Sequence, residues 1–159
     1  MKDVIKSLRA QFSKYNIDGY IVPKNDEFFS EYSNKDRLKK ISNFSGSAGY
    51  AVILKNRNYL FVDSRYTIQA KIEGGKKFKI LDYKKIFNCK IFKNLTIGLD
   101  PTLFTSNQIK KFFSNNKTKL IKENLIDNLV KLKNINSKSF YSLSKKIVGE
   151  DYKNKIRKI

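Results

Sequence analysis

The chain reads as a single α/β domain, a mixed, twisted β-sheet flanked by helices, on three observations. Short apolar runs rich in Ile, Val, Leu and aromatic residues alternate with stretches whose apolar residues recur at helical spacing, the pattern of a layered sheet and helices. Two of those runs are separated only by Lys55-Asn56-Arg57-Asn58, which marks a hairpin. The 159 residues suffice for one core, because a chain of about this size buries roughly 70% of its unfolded surface.

The elements follow in order. Over 3–15, Ile5, Leu8, Phe12 and Tyr15 fall on one helical face, with Asp3 placed to cap the start. Residues 18–23 read as a short buried strand ended by Pro23. A charged loop leads to a helical turn over 36–41 and a Gly-Ser-Ala-Gly turn at 46–49. The hairpin strands are 50–54 and 59–63, and the pattern turns helical over 65–73 until Gly74-Gly75 stops it. Strands are expected at 78–81 and 95–100, with a short helix over 84–87 between them. Thr105 or Ser106 can cap a helix carrying Ile109, Phe112 and Phe113, and 119–121 reads as a further strand. A boundary loop over 134–139 and lysine-rich helices over 139–148 and 152–159 close the chain.

Composition narrows the function. No apolar run approaches the roughly 20 residues that span a bilayer, and the N-terminus lacks the apolar stretch of a signal peptide, so a cytoplasmic protein without a membrane partner is expected. The lone Cys89 has no second cysteine for a disulfide or a zinc knuckle and is expected to be a small buried apolar residue. A net charge of +20 would ordinarily suggest nucleic acid. Only five of the 34 basic residues are arginine, however, and the lysines scatter over the whole chain. Since base readout and phosphate clamps favour the arginine fork, a bias of AT-rich codon usage explains the charge better than nucleic-acid binding does.

Several motifs invite chemistry and support little of it. Phe44-Ser45-Gly46-Ser47-Ala48-Gly49 could expose backbone N–H groups to a phosphate, but it lacks the Gly-Lys-Ser/Thr ending of a P-loop and the third glycine of a dinucleotide fingerprint. The alternative is a tight turn that lets a helix or loop pack close to the sheet. Asp63, Arg65 and Tyr66 sit between a strand and a helix, where the acid can cap N–H groups and the arginine can bridge to an acid, with Glu31 and Asp26 as candidate partners. Asp26 and Glu31 do not form a convincing acid/base pair, and without histidine a serine or cysteine nucleophile has no imidazole base. No carboxylate cluster of the EF-hand kind is present to hold a metal.

In sequence order, Asn25-Asp26-Glu27, Ser30-Glu31-Tyr32, the 44–49 turn and Asp63-Ser64-Arg65-Tyr66-Thr67-Ile68-Gln69-Ala70 resemble the N-terminal, non-catalytic domain of the creatinase/aminopeptidase P family. Ile97-Gly98-Leu99-Asp100-Pro101 and Glu123-Asn124-Leu125-Ile126-Asp127 extend the resemblance along the chain. Departures are Phe28 at a histidine position, Asn43 at a common glycine, Ser45 at a threonine and Val130 at a tryptophan. The best-known members with such a domain are Xaa-Pro aminopeptidases, whose separate C-terminal domain holds two divalent metal ions, typically manganese, on two Asp, one His and two Glu.

The resemblance implies a 1–135 domain of this type and, over 136–159, a helical linker towards an absent following domain. It implies no catalytic, cofactor-binding or metal residue in this chain, which has no histidine. The expected role is that of the N-terminal domain, as a fragment, truncated or split-gene product, serving subunit contacts and shaping the substrate cleft. Structural or cleft-facing candidates are Asp26, Glu31, Tyr32, Ser47, Gly49, Asp63, Arg65 and Tyr66. Expected partners are the parent's catalytic domain, or its split-gene counterpart, and further copies in a homo-oligomer. The alternatives are a stand-alone basic module for polyanions or nucleic acid and a non-functional remnant.

Overall fold

A computed structural model describes residues 3–30, 35–87, 89–114, 116–130 and 141–159. Six strands form one sheet in the order β4-β3-β2-β1-β5-β6: β1 Gly19–Pro23, β2 Gly49–Leu54, β3 Asn58–Val62, β4 Lys79–Asp82, β5 Thr96–Leu99 and β6 Lys117–Leu120. Only β2 runs against the others, pairing antiparallel with β1 and β3, whereas β3–β4, β1–β5 and β5–β6 are parallel. The expected mixed α/β sheet is therefore present, and the hairpin supplies its antiparallel part.

The central strands are continuous apolar runs because both faces of the sheet are covered. Successive side chains alternate between two cores. Tyr20, Val22, Ala51, Ile53, Leu60 and Val62 face one side with Leu8, Phe12, Leu38, Phe44, Ala70 and Leu125. Ile21, Tyr50, Val52, Tyr59 and Phe61 face the other with Phe92, Leu103, Phe112 and Phe113.

The helices are α1 Val4–Arg9, α2 Phe12–Tyr15, α3 Arg37–Ser42, α4 Thr67–Gly74, α5 Ser106–Phe113, α6 Lys145–Val148 and α7 Tyr152–Arg157. The helix expected over 3–15 is broken: the Gln11 N–H bonds to Leu8 O, a tightened turn that starts a second helix at Phe12. The expected 84–87 helix is a 3-10 turn at Tyr83–Ile86, and 3-10 turns at Ser64–Tyr66, Lys90–Phe92 and Pro101–Leu103 were not anticipated. Thr105 closes a capping box with Gln108 on α5. The last strand starts two residues earlier than expected, at Lys117.

The helix expected over 139–148 begins only after Ser144, its first two residues lying outside the described ones, as does the expected 134–139 loop. Leu143, Ile147, Tyr152 and Ile156 are all exposed, so α6 and α7 leave their apolar residues uncovered. Cys89 is half-buried against the second core, where burial pushes its thiol pKa up. No helix among the described residues is long and apolar enough to cross a membrane.

Candidate functional site

The carboxyl ends of β1, β3 and β4 and the start of β2 meet at one edge of the sheet, the usual place for a ligand crevice in open α/β folds. A cleft of about 310 Å³ opens there, lined by Lys24, Asn25, Phe29, Ser47, Ala48, Gly49, Tyr50, Asp63 and Tyr83. Three of the expected residues, Ser47, Gly49 and Asp63, thus come together. A Cβ on Gly49 would stand 3.0 Å from Phe61 O, so a side chain there would press on the neighbouring strand.

Behind the cleft, the Ser47 and Tyr66 hydroxyls are hydrogen-bonded at 2.8 Å, and the Tyr66 ring meets Phe44 edge-on. Asp63 Oδ1 accepts from the Arg65 backbone N–H at 3.0 Å and from its Nε at 2.9 Å. The Arg65 side chain thereby holds the Asp63 carboxyl below the usual carboxylate range, its backbone N–H adding to the effect. Arg65 turns to the acid two residues before it, and its guanidinium lies 5.6 Å from the centre of the Tyr66 ring. Asp26, one of the acids expected to pair with Arg65, instead closes a turn, its Oδ1 accepting from the N–H groups of Phe28 and Ser30. Glu31 and Tyr32 lie outside the described residues.

That turn carries Phe29 at φ 58°, an unusual conformation for a bulky residue, and leaves Phe28 89% exposed. It is fastened from below. Glu27 accepts from Arg37 Nη2 at 2.7 Å, and the same guanidinium donates through Nε and Nη2 to both oxygens of Asp127. Asn25 donates to Leu103 O, and Lys24 Nζ to Asp36 at 2.5 Å.

Sequence reasoning missed Lys24, Asn25, Phe29, Tyr50, Tyr83 and the Arg37 cluster. For Arg37 a signal existed. An arginine directly after the capping Asp36, in a chain so poor in arginine, marks a place where the fork geometry matters. The 44–49 turn leaves no free cradle at Ser45, whose N–H and hydroxyl both donate to the Glu73 carboxylate on α4. Gly46 lies beneath the Phe44 ring, where a Cβ would sit 2.2 Å from Cζ, and Asn43 holds φ 67° at the end of α3.

Lys24 and Asp63 are committed to ion pairs, while burial and then the Tyr83 hydroxyl drive the Tyr50 phenol pKa up, away from any role as a neutral-pH base. Among the described residues, no three His, Cys, Asp or Glu side chains are grouped to hold a metal ion.

Residues 5–131 match the model of the Creatinase/Prolidase N-terminal domain family, and the chain belongs to that family. It is 28% identical over 176 aligned residues to a probable Xaa-Pro aminopeptidase P of Coprinopsis cinerea, a match covering 98% of this chain and 28% of the relative. Its fold resembles the X-prolyl aminopeptidase of Caenorhabditis elegans, described as a cytosolic enzyme with a di-nuclear active site, with a TM-score of 0.74 at 22% identity. That match covers 98% of this chain and 29% of the enzyme. The isolated N-terminal domain of a cytoplasmic peptidase from Mycobacterium tuberculosis superposes with a TM-score of 0.59 at 16% identity, over 80% of this chain and 98% of that domain. The chain spans less than a third of the length of the curated relative.

Proposed function

We propose that this chain acts as the non-catalytic N-terminal domain of a Xaa-Pro aminopeptidase-like metallopeptidase, contributing subunit contacts and a wall of the substrate cleft. The observation that carries this reading is the family match over 5–131 in a chain without histidine. A separate catalytic domain would hold two divalent metal ions, manganese being the expected pair, and these would activate a water for attack on the bond before proline. This chain's own residues supply shape: the exposed Phe29 in the cleft lining and Phe28 beside it in the same turn are apolar groups for a partner surface to cover.

The division into a 1–135 domain and a 136–159 linker belongs to the same proposal. The isolated M. tuberculosis domain corresponds to 80% of this chain, whereas the far longer C. elegans enzyme corresponds to 98% of it. The uncovered apolar residues of α6 and α7 suit a segment that packs on a following domain. A cytoplasmic setting agrees with the descriptions of both neighbours.

Tagging the natural gene product at its locus and identifying the purified material by intact mass and sequence tests the reading. The expected result is a polypeptide, continuous with this chain or bound to it, bearing the histidine and carboxylate ligands. A 159-residue chain purified alone, with no peptidase accompanying it, would overturn the proposal.

A further inference from the structure

At the end of the sheet opposite the cleft, the β2–β3 turn and α1 frame a second depression of about 380 Å³, lined by Arg9, Asn56, Arg57, Asn58, Tyr59, Lys77 and Lys79. It gathers four cationic side chains, and no carboxylate of the described residues lines it. Two of the chain's five arginines converge there. Arg9 is fixed in place, its Nε donating to Leu54 O and its Nη2 to Asn58 Oδ1, both at 2.8 Å. Asn58 is held in turn by Lys77 O at 2.8 Å.

Other cations of the chain show what local neutralisation looks like. Lys55, in the same turn, is paired with Asp18 at 2.6 Å, and Arg65 and Arg37 reach carboxylates. Arg57 reaches none among the described residues, and its side chain is exposed beside Lys77 and Lys79. Lysine is the common cation of this chain, so two guanidinium groups meeting at one depression select for planar, bidentate recognition.

We propose that this depression is an oxyanion site for the phosphate group of a small molecule, with the remaining Nη hydrogens of the fixed Arg9 and the exposed guanidinium of Arg57 as donors, and Lys77 and Lys79 supplying charge. The side-chain amide of Asn56 adds a donor at the rim. The site lies at the strand ends opposite the cleft and shares no lining residue with it.

Calorimetric titration with inorganic pyrophosphate near physiological ionic strength tests the assignment, with Arg57→Gln/Lys79→Gln compared against Lys146→Gln/Lys153→Gln. Both double variants remove two charges at exposed positions, so each should keep the fold, checked by circular dichroism. Loss of two charge-assisted contacts should weaken pyrophosphate binding about tenfold or more in the first variant and leave the second at the level of the parent chain. Phosphatidylcholine vesicles with and without phosphatidic acid separate a lipid headgroup from a free phosphate, since Arg57-dependent binding only to the acidic vesicles would place the phosphate group on a lipid. Equal weakening in both variants, or no Arg57-dependent binding of either probe, would overturn the proposal.

Discussion

Arg37 and Asp127, ninety residues apart in sequence, meet in two parallel hydrogen bonds of 2.7 Å that join the start of α3 to the segment after the last strand. The pair is unevenly buried: 2% of the arginine side chain is exposed against 27% of the aspartate. Removing Asp127 leaves the buried guanidinium with its Nε unpaired and only the part-exposed Glu27 as a counter-charge, whereas removing Arg37 leaves carboxylates that water can still reach. Asp127→Ala is therefore expected to cost about 3 kcal/mol, and Arg37→Met less. Urea unfolding of the two variants measures the difference, and equal costs would contradict this asymmetry.

Glu27, the third member of the cluster, is held well below the usual carboxylate range, at about 2, by its hydrogen bond from Arg37. A depressed carboxylate stabilises the fold above its unfolded value of 4.5, and that contribution fades as the pH falls from there towards 2. Glu27→Gln should flatten the pH dependence of stability in that window and leave the neutral-pH slope unchanged. Unfolding midpoints collected from neutral pH down to the acid range check this.

The hydrogen bond between the Ser47 and Tyr66 hydroxyls ties the cleft wall to the turn before α4. Tyr66→Phe and Ser47→Ala should each cost about 1 kcal/mol, and the double variant less than the sum, because both singles remove the same bond. A double-mutant cycle by thermal unfolding reads the coupling, and strictly additive losses would show that the bond contributes nothing.

The central strands were legible because burial on both faces writes itself as unbroken apolar runs, and Tyr50 to Leu54 could be read without any long-range information. Caps were legible for a related reason: Asp3, Asp63 and Thr105 act on N–H groups two or three residues away. The cleft was only half legible. Ser47, Gly49 and Asp63 belong to local turns, but Lys24, Tyr50 and Tyr83 join them only when four strand ends converge. The Arg37 cluster was hidden for the same reason, since its acids come from positions 27 and 127.

The charge, too, has a structural reading. Every acidic side chain among the described residues is engaged in a cap, turn, hydrogen bond or ion pair. Every described lysine except Lys24 lies at an exposed position. Apart from Lys24, lysines have accumulated at exposed positions, and acids stand where the fold engages them.

The proposed role requires that hydrolysis of the Xaa-Pro bond reside in another domain. The decisive measurement is hydrolysis of a Xaa-Pro peptide by the purified 159-residue chain with added manganese. If catalysis belongs to another domain, turnover is no faster than with the metal alone. Sustained, chelator-sensitive release of the N-terminal residue by this chain would contradict it.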